Sequence, residues 1–138
     1  MPLQLILTEG VLPEGQEKVA FVRIAEAMLK WHGLVGNKVM PPNVIGEYHV
    51  LPRDRTFSGM QTAPIAVVEW KVPSFAFADR NIQIGYFDEV TTLIHEMSGG
   101  KHPKDHVFIN VVHTVDGAWN WGGKALTNDE IKQKISAG

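Results

Sequence analysis

Cysteine is absent from the 138 residues, which excludes disulfides, thiolate catalysis and cysteine-based zinc sites. The absence agrees with a reducing compartment, and a cytoplasmic location is expected. Charge of one sign is missing too: 13 Lys and Arg against 15 Asp and Glu leave a formal net charge of −2. Such a balance offers no basic field to nucleic acid or anionic lipid, so neither partner is expected. No apolar run approaches the length of a membrane span, and "MPLQLIL" lacks the positive n-region and cleavage site of a secretory signal. There is no G-x-S-x-G, P-loop or G-x-G-x-x-G. The glycine pairs Gly99–Gly100 and Gly122–Gly123 lack the strand-to-helix context that phosphate binding requires. Paired carboxylates are missing as well, because Asp88–Glu89 and Asp129–Glu130 fall in polar helical or tail contexts. Nothing in the chain calls for a cofactor.

What is present starts with Pro2, directly after the initiator methionine and ahead of the strand-like run Leu3, Leu5, Ile6, Leu7. Proline has no N–H for a ladder and a fixed φ, so a strand accepts it best at its first residue or on an edge. Loss of Met1 would give Pro2 a second property, a free secondary amine able to act as base or nucleophile.

The remaining pattern reads as one domain over residues 1–138. The stretch "VLPEGQEKVAFVRIAEAMLKWHG" has helical period, with Phe21, Ile24, Ala25 and Met28 on one face and a stop near Gly33. "NVIGEYHVL" reads as a strand and "PRDRTFSGMQT" as a turn-rich connection. A second cycle follows: the apolar strand "PIAVVEWKV", a helix over "ADRNIQIGYFDEVTTLIHEM" burying Phe87, Val90, Ile94 and Met97, and the strand "HVFINVVHTV". Two β-α-β units of this kind predict an α/β (α+β) domain. Its four-stranded sheet should carry both helices on one face, with parallel pairing inside each half. The other sheet face would then be bare, and self-association is its expected cover.

Two local patterns invite chemistry. "HPKDH" sets His102 and His106 four apart, but Gly99, Gly100 and Pro103 make the segment a loop without a third ligand. A solvated loop is expected there, not a metal site. "DGAWNWGGKALT" places two tryptophans in a glycine-rich stretch after the last strand. It reads equally as a packed hairpin and as an aromatic wall or protomer contact.

Taken together, "MPLQLILTEG", the doubled β-α-β and "HVFINVVHTVDGAWNWGG" resemble the tautomerase superfamily along nearly the whole chain. The opening Pro-Leu, Glu9–Gly10 and "PKDHVFINVVHTVDGAWNWG" are similar to malonate semialdehyde decarboxylase. "MPPN", "HVLPRD" and "VFIN" are similar to macrophage migration inhibitory factor. The resemblance implies a trimer whose protomers share a pocket, with Pro2 as its amino-terminal base acting on a small molecule. An amine in an apolar pocket is disfavoured as a cation, so its free base would be populated near neutrality. On the same resemblance Asn110 matches a pocket residue, Phe108 stands where the inhibitory factor has a tyrosine, and Trp119 falls where 4-oxalocrotonate tautomerase has its pocket phenylalanine.

The chain also departs from the family. The lysine expected before Pro-Pro is replaced by Met40, with Lys38 two residues away, and the Arg-x-Arg of the decarboxylase aligns with Phe75-Ala76-Phe77. Phenylalanine cannot hold a carboxylate as bidentate arginine does. Arg53, Arg55 and Arg80 are then the candidate clamps. Otherwise the pocket would be apolar, with Phe75, Phe77, Phe108 and Trp119 receiving an aryl or alkyl group. The leading expectation is a keto–enol isomerase for a small 2-oxo acid or aryl ketone. The alternatives are hydration, dehalogenation or decarboxylation of small unsaturated or oxo acids, with Glu47 to activate water, and a non-enzymatic oligomeric binding module.

Overall fold

The computed structural model describes residues 1–138. Alternation sets its first strand, β1 (Pro2–Thr8): Leu3, Leu5 and Leu7 are buried, while Pro2, Gln4 and Ile6 point to the opposite face. Helix α1 (Gln16–Trp31) buries Ala20, Ile24, Ala27 and Met28, and ends at His32 before Gly33 at φ +68°. Strand β2 (Ile45–Leu51) returns parallel to β1, with Pro2 opposite Ile45 and Thr8 opposite Leu51. Gly46 lies opposite Leu3, where an added Cβ would run into the Leu3 carbonyl, so glycine is what lets β2 close on β1 at the Pro2 end.

The turn-rich connection contains a small hairpin, β3 (Phe57–Ser58) with β4 (Gln61–Thr62). Strand β5 (Ala66–Pro73) then runs antiparallel to β1, Leu3 opposite Trp70 and Leu7 opposite Ala66. Helix α2 (Arg80–Met97) starts on a side-chain cap: the Asp79 carboxylate accepts from the Asn81 N–H at 2.7 Å and the Ile82 N–H at 3.3 Å. Strand β6 (Val107–Thr114) pairs parallel with β5. The sheet order is β2-β1-β5-β6. Each half is thus a parallel β-α-β unit, as the sequence predicts, and the halves join antiparallel through β1 and β5.

Both helices lie on the face that carries Leu3, Leu5, Leu7, Val68, Trp70 and Val72. A hydrogen-bond chain ties the layers: Trp70 Nε1 donates to the Tyr86 hydroxyl at 2.8 Å, and that hydroxyl donates to the Ile24 carbonyl at 3.1 Å. This corrects the expected buried face of α2. Tyr86, Val90, Leu93 and Ile94 are buried, and Phe87 and Met97 only partly, because Tyr86 satisfies its hydroxyl inside the core. The other sheet face carries Pro2, Gln4, Ile6, Glu47, Val67, Glu69, Lys71, Phe108, Asn110 and Val112, and no element of the chain covers it.

The tryptophan segment forms a hairpin, β7 (Trp119–Trp121) with β8 (Lys124–Leu126). A third helix follows, α3 (Asn128–Ser136), beyond the two that the sequence pattern predicts. Its start is a capping box between Thr127 and Glu130, and it buries Ile131 and Ile135. Asn37 Nδ2 donates to the Ile135 carbonyl at 2.9 Å and Asn128 Nδ2 to Ser74 Oγ at 2.8 Å, which fixes α3 to the loops at the Pro2 end.

Candidate active site at the amino end of the central strand

Strand β1 lies between β2 and β5, so its first residues sit in the middle of a sheet edge flanked by three loops. Met1 is 7% exposed and belongs to the core. Its amine donates to the Asn43 carbonyl, and the Ile45 N–H donates to the Met1 carbonyl at 3.3 Å. Burial lowers the pKa of this amine from 8.0 to about 6. Pro2 follows on the uncovered face, its nitrogen engaged in the peptide bond to Met1. The loop that receives the Met1 amine is braced internally: Asn37 Oδ1 accepts from the Val39 and Met40 N–H groups at 2.9 Å, and Asn43 Nδ2 donates to the Val39 carbonyl at 2.8 Å. Lys38 is exposed on this loop, and so belongs to the same end of the sheet as Pro2.

The aromatic residues fall into separate groups. Phe77 has φ +57°, is 1% exposed, and packs against His32, Tyr86 and Trp70 at ring separations of 4.7, 4.9 and 6.2 Å. It is a core residue, which corrects its expected place in a pocket. Its N–H donates to His32 Nε2 at 3.0 Å, and His32 Nδ1 donates to the Met28 carbonyl at 2.8 Å. That pattern needs a neutral imidazole, and burial accordingly lowers the His32 pKa below 6.5. Phe75 is half-buried with the Lys132 ammonium 5.1 Å above its ring, and Trp121 sits under Lys134 at 5.5 Å. Trp119 faces Leu126 across the β7–β8 hairpin. Phe75 and the tryptophans thus gather around the carboxy-terminal hairpin and α3.

Arg53 and Arg55 lie on a helical turn after β2, beyond the far end of β1. At about 3.3 Å per residue, that places them roughly 20 Å from Pro2 in the same chain. The Arg53 N–H donates to Glu9 Oε1 at 3.3 Å. Glu47 is exposed on the bare face, accepting from Gln4 Nε2 at 3.2 Å, with His49 Nε2 at 3.6 Å. The "HPKDH" loop is less solvated than expected. His102 is 4% exposed, its Nε2 donates to the His106 carbonyl at 2.9 Å, and its N–H donates to Ser98 Oγ. The His102 imidazole therefore belongs to a loop-bracing network, to which His106 contributes its carbonyl.

The structure does bring Arg80 and Asn110 together. Both line a cleft of about 400 Å³ along the free edge of β6, with Gln83 and His113 as further polar groups and Phe87 and Ile109 among the apolar ones. Arg80 Nη1 donates to Gln83 Oε1 at 3.2 Å. The His113 Nε2 donates to the Ala76 carbonyl at 2.6 Å. Asn110 and Phe108 are exposed on the same sheet face as Pro2. Asn110 is two strands and two residues away, roughly 12 Å by strand spacing and rise. A cation beside amides and apolar walls suits a small organic acid. Lys71 belongs to no motif in the sequence, yet register sets it one step beyond the Leu3–Trp70 pair and so opposite Pro2. Only the observed strand pairing reveals that neighbour.

No protein-family model matches the sequence, and no curated protein does either. Solved structures do match. N1, a member of the cis-3-chloroacrylic acid dehalogenase family, superposes with a TM-score of 0.69 at 13% identity, over 99% of this chain and 91% of that one. Pt0534 inactivated by 2-oxo-3-pentynoate gives 0.72 at 14%, over 95% and 98%. The F6 fused 4-OT asymmetric trimer gives 0.70 at 12%, over 91% and 95%. Neighbours of these kinds share the tautomerase fold, and this chain has that fold.

Proposed function

We propose that this chain, once Met1 is removed, is a cofactor-independent keto–enol isomerase in which the Pro2 amine is the general base. Its substrate class is a small 2-oxo acid or aryl ketone. The observation that carries the reading is the position of the amino end: Pro2 opens the central strand on the uncovered sheet face, next to a Met1 amine whose pKa burial lowers from 8.0 to about 6. With Met1 gone, a Pro2 amine kept from water in the same way would be populated as free base near neutrality, and could take a proton from carbon and return it to oxygen. The fold, shared with a tautomerase named in the comparisons, supports the same reading. The assembly proposed is a cytoplasmic homotrimer. Three copies would cover the bare faces and bring the Arg80–Asn110 cleft of one protomer toward Pro2 of another. No helix is long and apolar enough to cross a membrane.

The test compares three forms on phenylenolpyruvate: protein lacking Met1, protein retaining it, and Pro2→Ala. Ketonisation above the buffer rate is expected only from the first. Equal rates in all three dispose of Pro2 as the base. A second reading, dehalogenation, hydration or decarboxylation of a small acid, is favoured by the cationic cleft at Arg80 and by the likeness to N1. Halide release from 3-chloroacrylates, abolished in Arg80→Ala, would select it.

A further inference from the structure

We propose that Lys71 holds the substrate carboxylate beside Pro2, which makes the substrate a monocarboxylic 2-oxo acid with a neutral remainder. The inference rests on the proposed role of Pro2. Strand pairing places the two residues together: Leu3 is opposite Trp70, so the next antiparallel step sets Pro2 opposite Lys71. They share a face, because their strand neighbours Leu3, Trp70 and Val72 are all buried on the other one. Directly opposed residues on one face have Cβ atoms about 5 Å apart, well within the reach of a lysine stem. Lys71 is exposed, and its ammonium has neither an ion pair nor a hydrogen bond to any side chain. It is a free cation one strand from the reacting nitrogen, closer in the same chain than Arg53 and Arg55.

The next row of the same face explains why one carboxylate is accepted and a second is not. Register aligns Glu47, Gln4, Glu69 and Asn110 across the four strands, two residues further along β1. Two carboxylates flank that row. An acid group on C1 of a 2-oxo acid would meet Lys71 while C3 faces Pro2. A second acid group directed along the strands would face Glu47 and Glu69, and like charges there oppose it.

The experiment uses protein lacking Met1 and two alkynyl ketones of similar shape, 2-oxo-3-pentynoate and uncharged 3-pentyn-2-one. In either reaction the Pro2 nitrogen lone pair forms a bond to the β-carbon. One alkyne π bond opens, and the amine proton ends on the α-carbon. Nothing leaves, so intact mass rises by the whole reagent. Lys71→Met should slow modification by the acid about tenfold, the scale of one charge-assisted hydrogen bond. The uncharged ketone should react at an unchanged rate, and Lys71→Arg should restore the rate with the acid. Unfolding midpoints of both variants should match the parent, since the side chain is exposed and unpartnered. If Lys71→Met slows both reagents equally, or neither, Lys71 is not the carboxylate partner while Pro2 keeps its role. If neither reagent modifies Pro2 in the parent protein, the Pro2 reading falls and this inference with it.

Discussion

The two faces of the one sheet are built from adjacent residues and do opposite work. On the covered face Leu3, Leu5, Leu7, Val68, Trp70 and Val72 are almost fully withdrawn from water under α1 and α2. On the other, the residues between them read Pro2, Gln4, Ile6, Val67, Glu69 and Lys71, a mixture of apolar groups, amide, carboxylate and ammonium. The covered face could be exchanged for other well-packed apolar residues without altering what the molecule presents to a ligand. The bare face contributes little to the fold of a single chain, and so is free to carry chemistry and contacts. Stability and function are thus divided by a period of two along the same strands.

The sharpest way to break this division is a pair of neighbours on β5. Trp70→Ala should cost about 3–5 kcal/mol in urea unfolding, since it empties a core site and removes the donor to the Tyr86 hydroxyl. Glu69→Ala, one residue away, should stay within about 0.5 kcal/mol. Comparable losses from both would mean that the bare face is part of the core.

Much of this was legible because alternation in β1, β5 and β6 and the helical period of α1 follow from burial itself. Three things were not. Phe75 and Phe77 look equivalent in sequence, but a left-handed backbone at Phe77 turns its ring into the core, and no side-chain pattern encodes that φ. On α2, Tyr86 and Phe87 are adjacent and similar, and the hydrogen bond to Trp70 chose between them. Helix α3 has only Ile131 and Ile135 to bury, too few for a periodic signal. The Thr127–Glu130 capping box was the available clue. The distance of Arg53 and Arg55 from Pro2, by contrast, follows from the parallel pairing of β1 and β2 that the sequence does predict, which puts the end of β2 far from the start of β1.

Assembly provides the next test. Ile6→Lys lies on the bare face, so light scattering should shift from a trimer mass toward one protomer while the far-ultraviolet circular dichroism persists. A trimer unaffected by this change would place the contact elsewhere. A smaller effect is expected from acid. His32 is neutral in the fold and its pKa is depressed, so its contribution to stability is complete above about 6.5. It is lost as the pH falls through that value and then through the lower folded-state pKa. The urea midpoint should therefore decline between pH 7.5 and 5.5, and decline less in His32→Gln. A parent profile no steeper than the variant's would mean that the Phe77 N–H contact does not depend on the neutral ring. Smallest of all, Gln4→Ala removes an exposed amide–carboxylate hydrogen bond to Glu47 and should leave the unfolding midpoint nearly unchanged.

The burial of Met1 would set a clock on the proposed maturation. In the finished fold the amino end is held by the 37–44 loop, which is itself hydrogen-bonded to α3. An aminopeptidase needs the end of the chain extended and reachable. During synthesis the amino end emerges long before residues 128–136 exist, because chains grow at about 5–20 residues per second. The proposed excision would therefore belong to the interval in which the ribosome is still completing the chain. On the proposed reading, a molecule that folded with Met1 in place would have closed its own activation step, and two populations differing by one residue would persist side by side.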